Sequence, residues 1–256
     1  MKLPYTFPEI KSIAFKPAFV LCLSAVCLLG INFFSGYYQF ELFESVFRFL
    51  GLKELYESIY FRLIKSSNRH FWQLLYWASH TFLFYFVVPS LAIKFIFKER
   101  LRDYGLKLKG AFSFGGLYAV AFALILPVVV VASFSPHFQI TYPFFVPINK
   151  NDMFPYFFTW EIFYILQFFS LEFFFRGFMV QGLKKDLGIY SVFVMVVPYC
   201  MIHFAKPLPE CIGSIFAGIF LGLMSYKTNS VWLGAFLHAG VAISMDLLSL
   251  WHKGYF

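Results

Sequence analysis

One of the most apolar stretches of the chain is interrupted by two charged residues. Residues 170–178 read SLEFFFRGF, and Glu172 and Arg176 lie four positions apart. In a helix this spacing places both side chains on one face, where the guanidinium can hold the carboxylate through paired N–H bonds. The pair could serve helix packing alone. It could also belong to a site that activates water, because burial raises the pKa of a glutamate toward the range that suits a base.

Other ionisable residues interrupt the apolar runs of the same half of the chain. They are Glu161, His203, Glu210, His238 and Asp246. An ionisable group at mid-membrane costs a few kcal/mol on insertion scales, so it usually faces the bundle interior and has a partner. Each histidine taken singly is more often a packing residue than a catalytic one. Two histidines and several carboxylates on three helices together indicate hydrolytic chemistry, in which a histidine can donate to a developing oxyanion.

The same residue types could also bind a metal. His203, His238 and Glu172 are the set that could hold an ion such as zinc, but their spacing is not HExxH. A metal site is therefore the weaker interpretation of these residues.

The order of these motifs resembles a known family of membrane proteases. LEFFFRG, then YCMIH, then a glycine-rich span, then SVWLGAFLHAGVA is similar to the CAAX prenyl protease and bacteriocin-processing (CPBP or Abi) intramembrane proteases. That family carries EExxxR on one helix, FxxxH on the next, and HxxxN or a variant on a later one. The resemblance favours a site in which Glu and His activate water and no metal or other cofactor is required. The resemblance covers about residues 98–250.

The resemblance implies a role for each matching residue. Glu172 and Arg176 match the second Glu and the Arg of the first motif, and His203 and His238 match the two histidines. In the family, a Glu and the FxxxH histidine activate water, while the last histidine and the Asn stabilise the oxyanion.

Three motif positions differ, because Leu171 stands in place of the first Glu, Tyr199 in place of the Phe and Ala242 in place of the Asn. Glu161 or Glu210 could supply the missing carboxylate. Asp246 could replace the Asn in positioning His238.

We expect an intramembrane endopeptidase that acts on a membrane-bound or lipidated peptide. In this hypothesis Glu172 activates water with His203, Arg176 orients Glu172, and His238 polarises the scissile carbonyl. The alternative is an inactive family member that binds a membrane peptide as an immunity or scaffold protein, as Leu171 and Ala242 would favour. A proton-coupled transporter is a third hypothesis, against which the lack of a detectable repeat argues.

The composition places the chain in a membrane. Its 256 residues are 60% hydrophobic and 13% charged, with a mean hydropathy of +0.71, whereas a soluble domain is roughly a quarter charged. The net charge of +8 could indicate nucleic-acid binding, but the Lys and Arg residues lie between apolar runs, as juxtamembrane anchors do. We expect the lipid bilayer as a partner, no nucleic acid, and a multi-pass protein of the plasma (inner) membrane.

The apolar runs predict an all-α, polytopic transmembrane bundle of about seven spans, at residues 17–37, 71–97, 111–133, 156–183, 188–204, 210–226 and 231–251. Residues 41–64 have the period of an amphipathic interfacial helix, with a break near Gly51. We predict a single membrane domain over residues 1–256. It comprises N-terminal spans with the amphipathic helix over 1–97 and the protease-like core over 98–250.

The basic residues and the glycines add two predictions. If the seven spans alternate, the N-terminus, the 98–110 loop, Lys184, Lys185 and Lys227 share one side, and the 134–155 loop, Lys206 and Lys253 share the other. The side with more Lys and Arg residues, which includes the N-terminus, is predicted to be cytoplasmic, and the C-terminus is then on the opposite side. Gly213, Gly218 and Gly222 are predicted to allow close contact between helices.

Overall fold

The computed structural model describes residues 14–147 and 150–256, so Lys2 and Lys11 of the predicted cytoplasmic side lie outside the described residues. The helices that position the site are α1 (Phe15–Phe34), α2 (Arg69–Ile96), α3 (Gly115–Ala132), α4 (Tyr156–Leu187), α5 (Tyr190–Met201), α6 (Leu208–Thr228) and α7 (Trp232–His252). Short helices lie between α1 and α2, and another, Pro136–Thr141, lies between α3 and α4.

Six of these helices, all except α5, are long and apolar enough to cross a membrane. The predicted all-α polytopic bundle is confirmed. The full-length fifth span is not found, because α5 has 12 residues and is therefore about 18 Å long at 1.5 Å per residue, against a hydrocarbon core of about 30 Å. The run predicted at 188–204 is apolar to its end, but the chain leaves the helix at Met201 and turns before Pro207.

The predicted amphipathic segment is helical and broken where expected. It forms the short helices Glu44–Phe49 and Lys53–Tyr60. Between them Gly51 adopts φ +72°, a left-handed conformation that glycine tolerates best. Phe40, Tyr56 and Leu63 form its small buried cluster. Its position at a membrane interface remains a prediction.

Helix α4 is the centre of the bundle. Of its most apolar 18-residue window, 72% is buried, against 44% for α7 and less for the other candidate spans. The phenylalanines of SLEFFFRGF pack onto two neighbouring helices. Phe174 stacks on Tyr85 of α2 at 4.6 Å between ring centroids, and Phe175 meets Tyr199 of α5 edge-on at 5.2 Å. These aromatic contacts enclose the charged pair in protein rather than in lipid.

The stretch that carries Arg176 is not regular α-helix. Residues Phe173–Gln181 are π-helical, and they begin directly after Glu172. Such wide turns inside helices occur frequently at functional sites.

Glycines bring α6 against α5 at two of the three predicted positions. A Cβ atom at Gly218 would lie 3.0 Å from Tyr199 Cδ1, and one at Gly222 would lie 2.6 Å from Val192 Cγ1. Both positions therefore confirm the predicted close contact. The prediction for Gly213 is wrong, because a Cβ atom there would have no neighbour within 4 Å.

The basic segments separate to the two ends of the bundle as predicted. At one end, Lys184 Nζ donates to Asn229 Oδ1 at 2.7 Å, and the Val231 amide donates to the Gly105 carbonyl at 3.0 Å. At the other end, Lys206 Nζ donates to the Tyr142 hydroxyl at 3.0 Å. We call the first of these ends, which contains the 98–110 segment, the basic end. Its cytoplasmic location remains a prediction.

Candidate active site

A single carboxylate oxygen joins two helices at the centre of the bundle. Glu172 Oε1 lies 3.0 Å from Arg176 Nη1 on α4 and accepts a hydrogen bond from His238 Nδ1 of α7 at 3.1 Å. The Glu172 side chain is fully buried and that of Arg176 is 1% exposed, whereas that of His238 is 20% exposed. Among these three residues, His238 is therefore the one that another molecule can reach.

Arg176 links Glu172 and His238 to His203 through an aromatic ring. Its guanidinium Cζ lies 3.9 Å from the centroid of the Tyr199 ring, a cation–π distance. The Tyr199 ring in turn meets the His203 ring edge-on at 4.9 Å. The four residues that match the family motifs are thus part of one contiguous cluster, although no direct contact joins Glu172 to His203 among the described residues.

His203 lies in the turn after α5 and carries a defined tautomer. Its Nδ1–H donates to the Tyr199 carbonyl at 2.8 Å, so Nε2 of the neutral ring is free to accept a hydrogen bond. Burial lowers the pKa of His203 to about 4, and the nearby Lys206 and Arg176 charges act in the same direction, against the hydrogen bond to the Tyr199 carbonyl. The ring is therefore neutral near pH 7.

This lowered pKa of His203 predicts a pH-dependent stability. An unfolded histidine titrates near 6.5, so between about pH 6.5 and 4 the unfolded chain binds the proton and the folded chain does not. We expect the free energy of unfolding to fall as the pH is lowered through this window, and the slope to become shallower in His203→Gln. Denaturation at a series of pH values measures it, with the exposed His137→Gln as a control. An unchanged slope in His203→Gln would contradict the assignment.

The other predicted carboxylates lie away from this cluster. Glu161 and Asp246 are neighbours that act on each other, and their four carboxyl oxygens are buried without a hydrogen-bond partner among the described residues. Asp246 lies eight residues beyond His238, about 12 Å along α7.

Glu210 is also directed elsewhere. It accepts a hydrogen bond from the Tyr142 hydroxyl at 3.3 Å and lies 4.0 Å from Lys206 Nζ. The structure therefore brings Glu172, Arg176 and His238 together, with His203 joined through Tyr199. It places Glu161 and Asp246 in a separate pair, and Glu210 near the 134–155 loop.

Leu171 and Ala242, which replace the first Glu and the Asn of the family motifs, are packed as apolar residues. Leu171 is 6% exposed within the main apolar cluster, which includes Tyr85, Phe173 and Phe175. Ala242 is 4% exposed within a second cluster that includes Trp160 and Phe168. No polar group of either residue is available to the site.

The described residues do not assemble a metal site. Among them, no three His, Cys, Asp or Glu side chains converge in a way that could hold an ion. Of the three residues that could hold zinc by type, His203, His238 and Glu172, the last two are in contact with each other. That no metal is required remains a prediction.

Gly234 permits the approach of α7 to the buried carboxylate. A Cβ atom at this position would lie 2.8 Å from Glu172 Oε2, closer than real Cβ contacts allow. Gly234 precedes His238 by one helical turn, so both residues face α4. Phe168, one turn before Glu172, lies against the His238 ring at 4.5 Å between centroids. Sequence reasoning missed both residues, although their four-residue spacing from Glu172 and His238 was a usable signal.

Replacing Gly234 by alanine tests this packing. We expect Gly234→Ala to lower the melting temperature, because the added methyl group displaces either α7 or the Glu172 carboxylate. Gly213→Ala is the matched control, since the same methyl group meets no atom there and replaces a helical glycine by a better helix former. The melting temperatures of both variants in detergent provide the measurement. Equal effects of the two substitutions would contradict the close approach at Gly234.

Access to the site is by way of the partly exposed His238. Pockets of about 340 and 110 Å³ lie elsewhere in the bundle, and none of the motif residues lines either of them. A substrate would therefore have to reach the histidines between the helices.

Comparison with known proteins agrees with the sequence motifs. Residues 153–244 match the family model described as Rce1-like: Type II CAAX prenyl endopeptidase Rce1-like. The matched segment is about a third of the chain and contains Glu172, Arg176, His203 and His238. No curated protein and no solved structure matches. The match confirms the resemblance to the CAAX prenyl protease family, and six span-forming helices make the chain an integral membrane protein.

Proposed function

We propose that the protein is an intramembrane endopeptidase that hydrolyses a peptide bond of a membrane-bound or lipidated substrate. The observation that carries the proposal is the 3.1 Å hydrogen bond between His238 Nδ1 and the buried Glu172 carboxylate. It lies within the segment that resembles a protease family. A carboxylate that accepts from one ring nitrogen fixes the tautomer and leaves the other nitrogen available for proton transfer.

In the mechanism that this geometry favours, His238 is the general base and acid. Its Nε2 takes a proton from the attacking water while the water oxygen adds to the scissile carbonyl carbon. When the C–N bond breaks, the same nitrogen returns the proton to the leaving amine, which yields an amine and a carboxylic acid that then releases its proton to solvent. Glu172 stabilises the positive charge that develops on the ring.

This assignment gives Glu172 a different role from the one that the sequence predicts. A carboxylate that activates water directly needs an oxygen within reach of that water. Glu172 Oε1 already has two partners, and Oε2, which has no hydrogen-bond partner among the described residues, is buried with the rest of the side chain. We therefore assign Glu172 to orienting His238, and Arg176 to holding the Glu172 carboxylate in place.

His203 completes the site as an acceptor. The neutral ring offers Nε2 to the water molecule, because Nδ1 is held by the Tyr199 carbonyl. A water molecule that donates one hydrogen to His203 and the other to His238 would be held for attack. Such a water molecule requires that Nε2 of His203 and Nε2 of His238 face a common space.

Cleavage of matched peptides tests the proposal. The purified full chain is reconstituted in liposomes and given two peptides of one sequence, with and without a farnesyl group on a cysteine near the C-terminus. We expect the lipidated peptide to be cleaved, with both products seen by mass spectrometry. A wild-type protein that cleaves neither peptide would contradict the proposal. The plasma (inner) membrane is proposed as its location, which membrane fractionation tests.

A second candidate function is binding without catalysis. The apolar packing of Leu171 and Ala242 favours it, because each stands where the family has a polar catalytic residue. In that case the lipidated peptide would bind to the reconstituted protein and be recovered intact. Measuring binding and cleavage on the same samples separates the two functions.

A further inference from the structure

An open pocket lies at the basic end of the bundle, where the 98–110 segment meets the ends of α4 and α6. Its volume is about 340 Å³, and its lining residues are Arg102, Asp103, Lys107, Gln181, Lys184, Lys185 and Asn229. None of these residues takes part in the proposed hydrolysis.

The lining has a strong excess of positive charge. Four cationic side chains face one carboxylate. That carboxylate, Asp103, is paired with Arg100, whose Nε lies 2.9 Å from Asp103 Oδ2, and lies 3.7 Å from Arg102 Nε. The pocket therefore offers Lys107, Lys184 and Lys185 as cations that no acidic lining residue neutralises.

One of these cations is held in place by the fold. Lys184 Nζ donates to the Tyr226 carbonyl at 2.6 Å and to Asn229 Oδ1 at 2.7 Å. An ammonium group has three N–H donors, so one remains for a ligand. Gln181 is fixed nearby, because its Nε2 donates to the Ser225 carbonyl at 2.8 Å. The base of the pocket is thus built from ordered contacts between α4 and α6.

Exposed apolar side chains follow two of the lining cations in the chain. Leu108 follows Lys107 directly and is 61% exposed, and Tyr190, at the start of α5 and five residues after Lys185, is 70% exposed. The pocket therefore lies at the boundary between the charged end and the apolar sides of the helices. A small inorganic anion would use the cations alone, whereas an anion with an apolar tail would use both surfaces.

We propose that this pocket binds the phosphate group of an anionic phospholipid, with the acyl chains against the neighbouring apolar surface. Basic pockets between membrane helices recognise such head groups, and each Lys or Arg near the surface adds to the attraction. This inference does not depend on the proposed hydrolysis.

Binding of short-chain lipids to the full chain in detergent tests the inference. The probes are dioctanoyl phosphatidylglycerol, dioctanoyl phosphatidylcholine and inorganic phosphate, titrated by calorimetry. We expect the anionic lipid to bind most tightly, and Lys107→Gln with Lys185→Gln to weaken it about thirtyfold, from the loss of two charges near a membrane surface. The matched control is Lys98→Gln with Lys109→Gln, which removes two exposed lysines outside the pocket and should change affinity less than about threefold.

The remaining outcomes would overturn the inference. Equal weakening in the two double variants would show that net charge, and not the pocket, attracts the lipid. Equal binding of phosphatidylcholine would remove the requirement for an anionic head group. Inorganic phosphate that binds as tightly as the lipid would make the site one for free anions.

Discussion

Replacing Glu172 by glutamine is expected to lower the free energy of unfolding by about 3–5 kcal/mol, the range seen when one partner of a buried ion pair is removed. Arg176 is 1% exposed, and its Nη1 lies 3.0 Å from Glu172 Oε1. A guanidinium cannot release its proton in a protein. The variant therefore has to bury an uncompensated charge, and the shift of its denaturation midpoint in detergent measures the effect.

A surface pair with the same spacing provides the control. Glu44 and Arg48 are also four residues apart, with 2.6 Å between their charged atoms, but their side chains are 42% and 53% exposed. Glu44→Gln should cost less than about 1 kcal/mol, as exposed pairs usually do. The double variant Glu172→Gln with Arg176→Met should recover much of the loss, because both buried charges are then removed. A Glu172→Gln protein as stable as the wild type would contradict the ion pair.

Replacing His238 by glutamine is expected to reduce turnover of a lipidated peptide by about 10²- to 10⁴-fold, the usual contribution of a positioned general acid–base group. Glutamine cannot take the proton from water or return it to the leaving amine. The effect on stability should be small, because the His238 side chain is partly exposed and Glu172 keeps its contact with Arg176. Turnover and melting temperature are measured on the same preparation.

The same helix supplies the control for this prediction. His252 is the last residue of α7, about four helical turns beyond His238. Its Nε2 lies 2.9 Å from the Ser133 hydroxyl. His252→Gln should leave turnover within about twofold of the wild type. A His238→Gln protein that keeps more than a tenth of wild-type turnover would exclude His238 as the base and return that role to Glu172 with His203.

The apolar pattern predicted the helices well because the membrane sets their length. The predicted spans at 71–97 and 231–251 agree closely with α2 and α7. The prediction failed at α5, where Ile202 and Phe204 are as apolar as the helix but lie in a turn. Hydropathy reports which residues avoid water. It does not report where the backbone stops being helical.

The candidate site was predictable to different degrees. The Glu172–Arg176 contact follows from four-residue spacing on one helix, and the structure has it. The contact between Glu172 and His238 joins positions 66 residues apart, so it depends on how α7 packs against α4. The pairing of Glu161 with Asp246 is equally remote in sequence. Periodicity identified the faces on which these residues lie, but it could not identify which faces meet.

Isotope incorporation tests the central claim, that the Glu172–His238 pair directs water to a peptide bond. The reconstituted protein is incubated with the lipidated peptide in ¹⁸O-labelled water, and the products are weighed by mass spectrometry. We expect one ¹⁸O atom in the new carboxylate for the wild type, and no labelled product above background for His238→Gln. Bound but intact peptide with the wild type would contradict the account and support binding without catalysis. Labelled product formed equally by His238→Gln would place the catalytic base elsewhere.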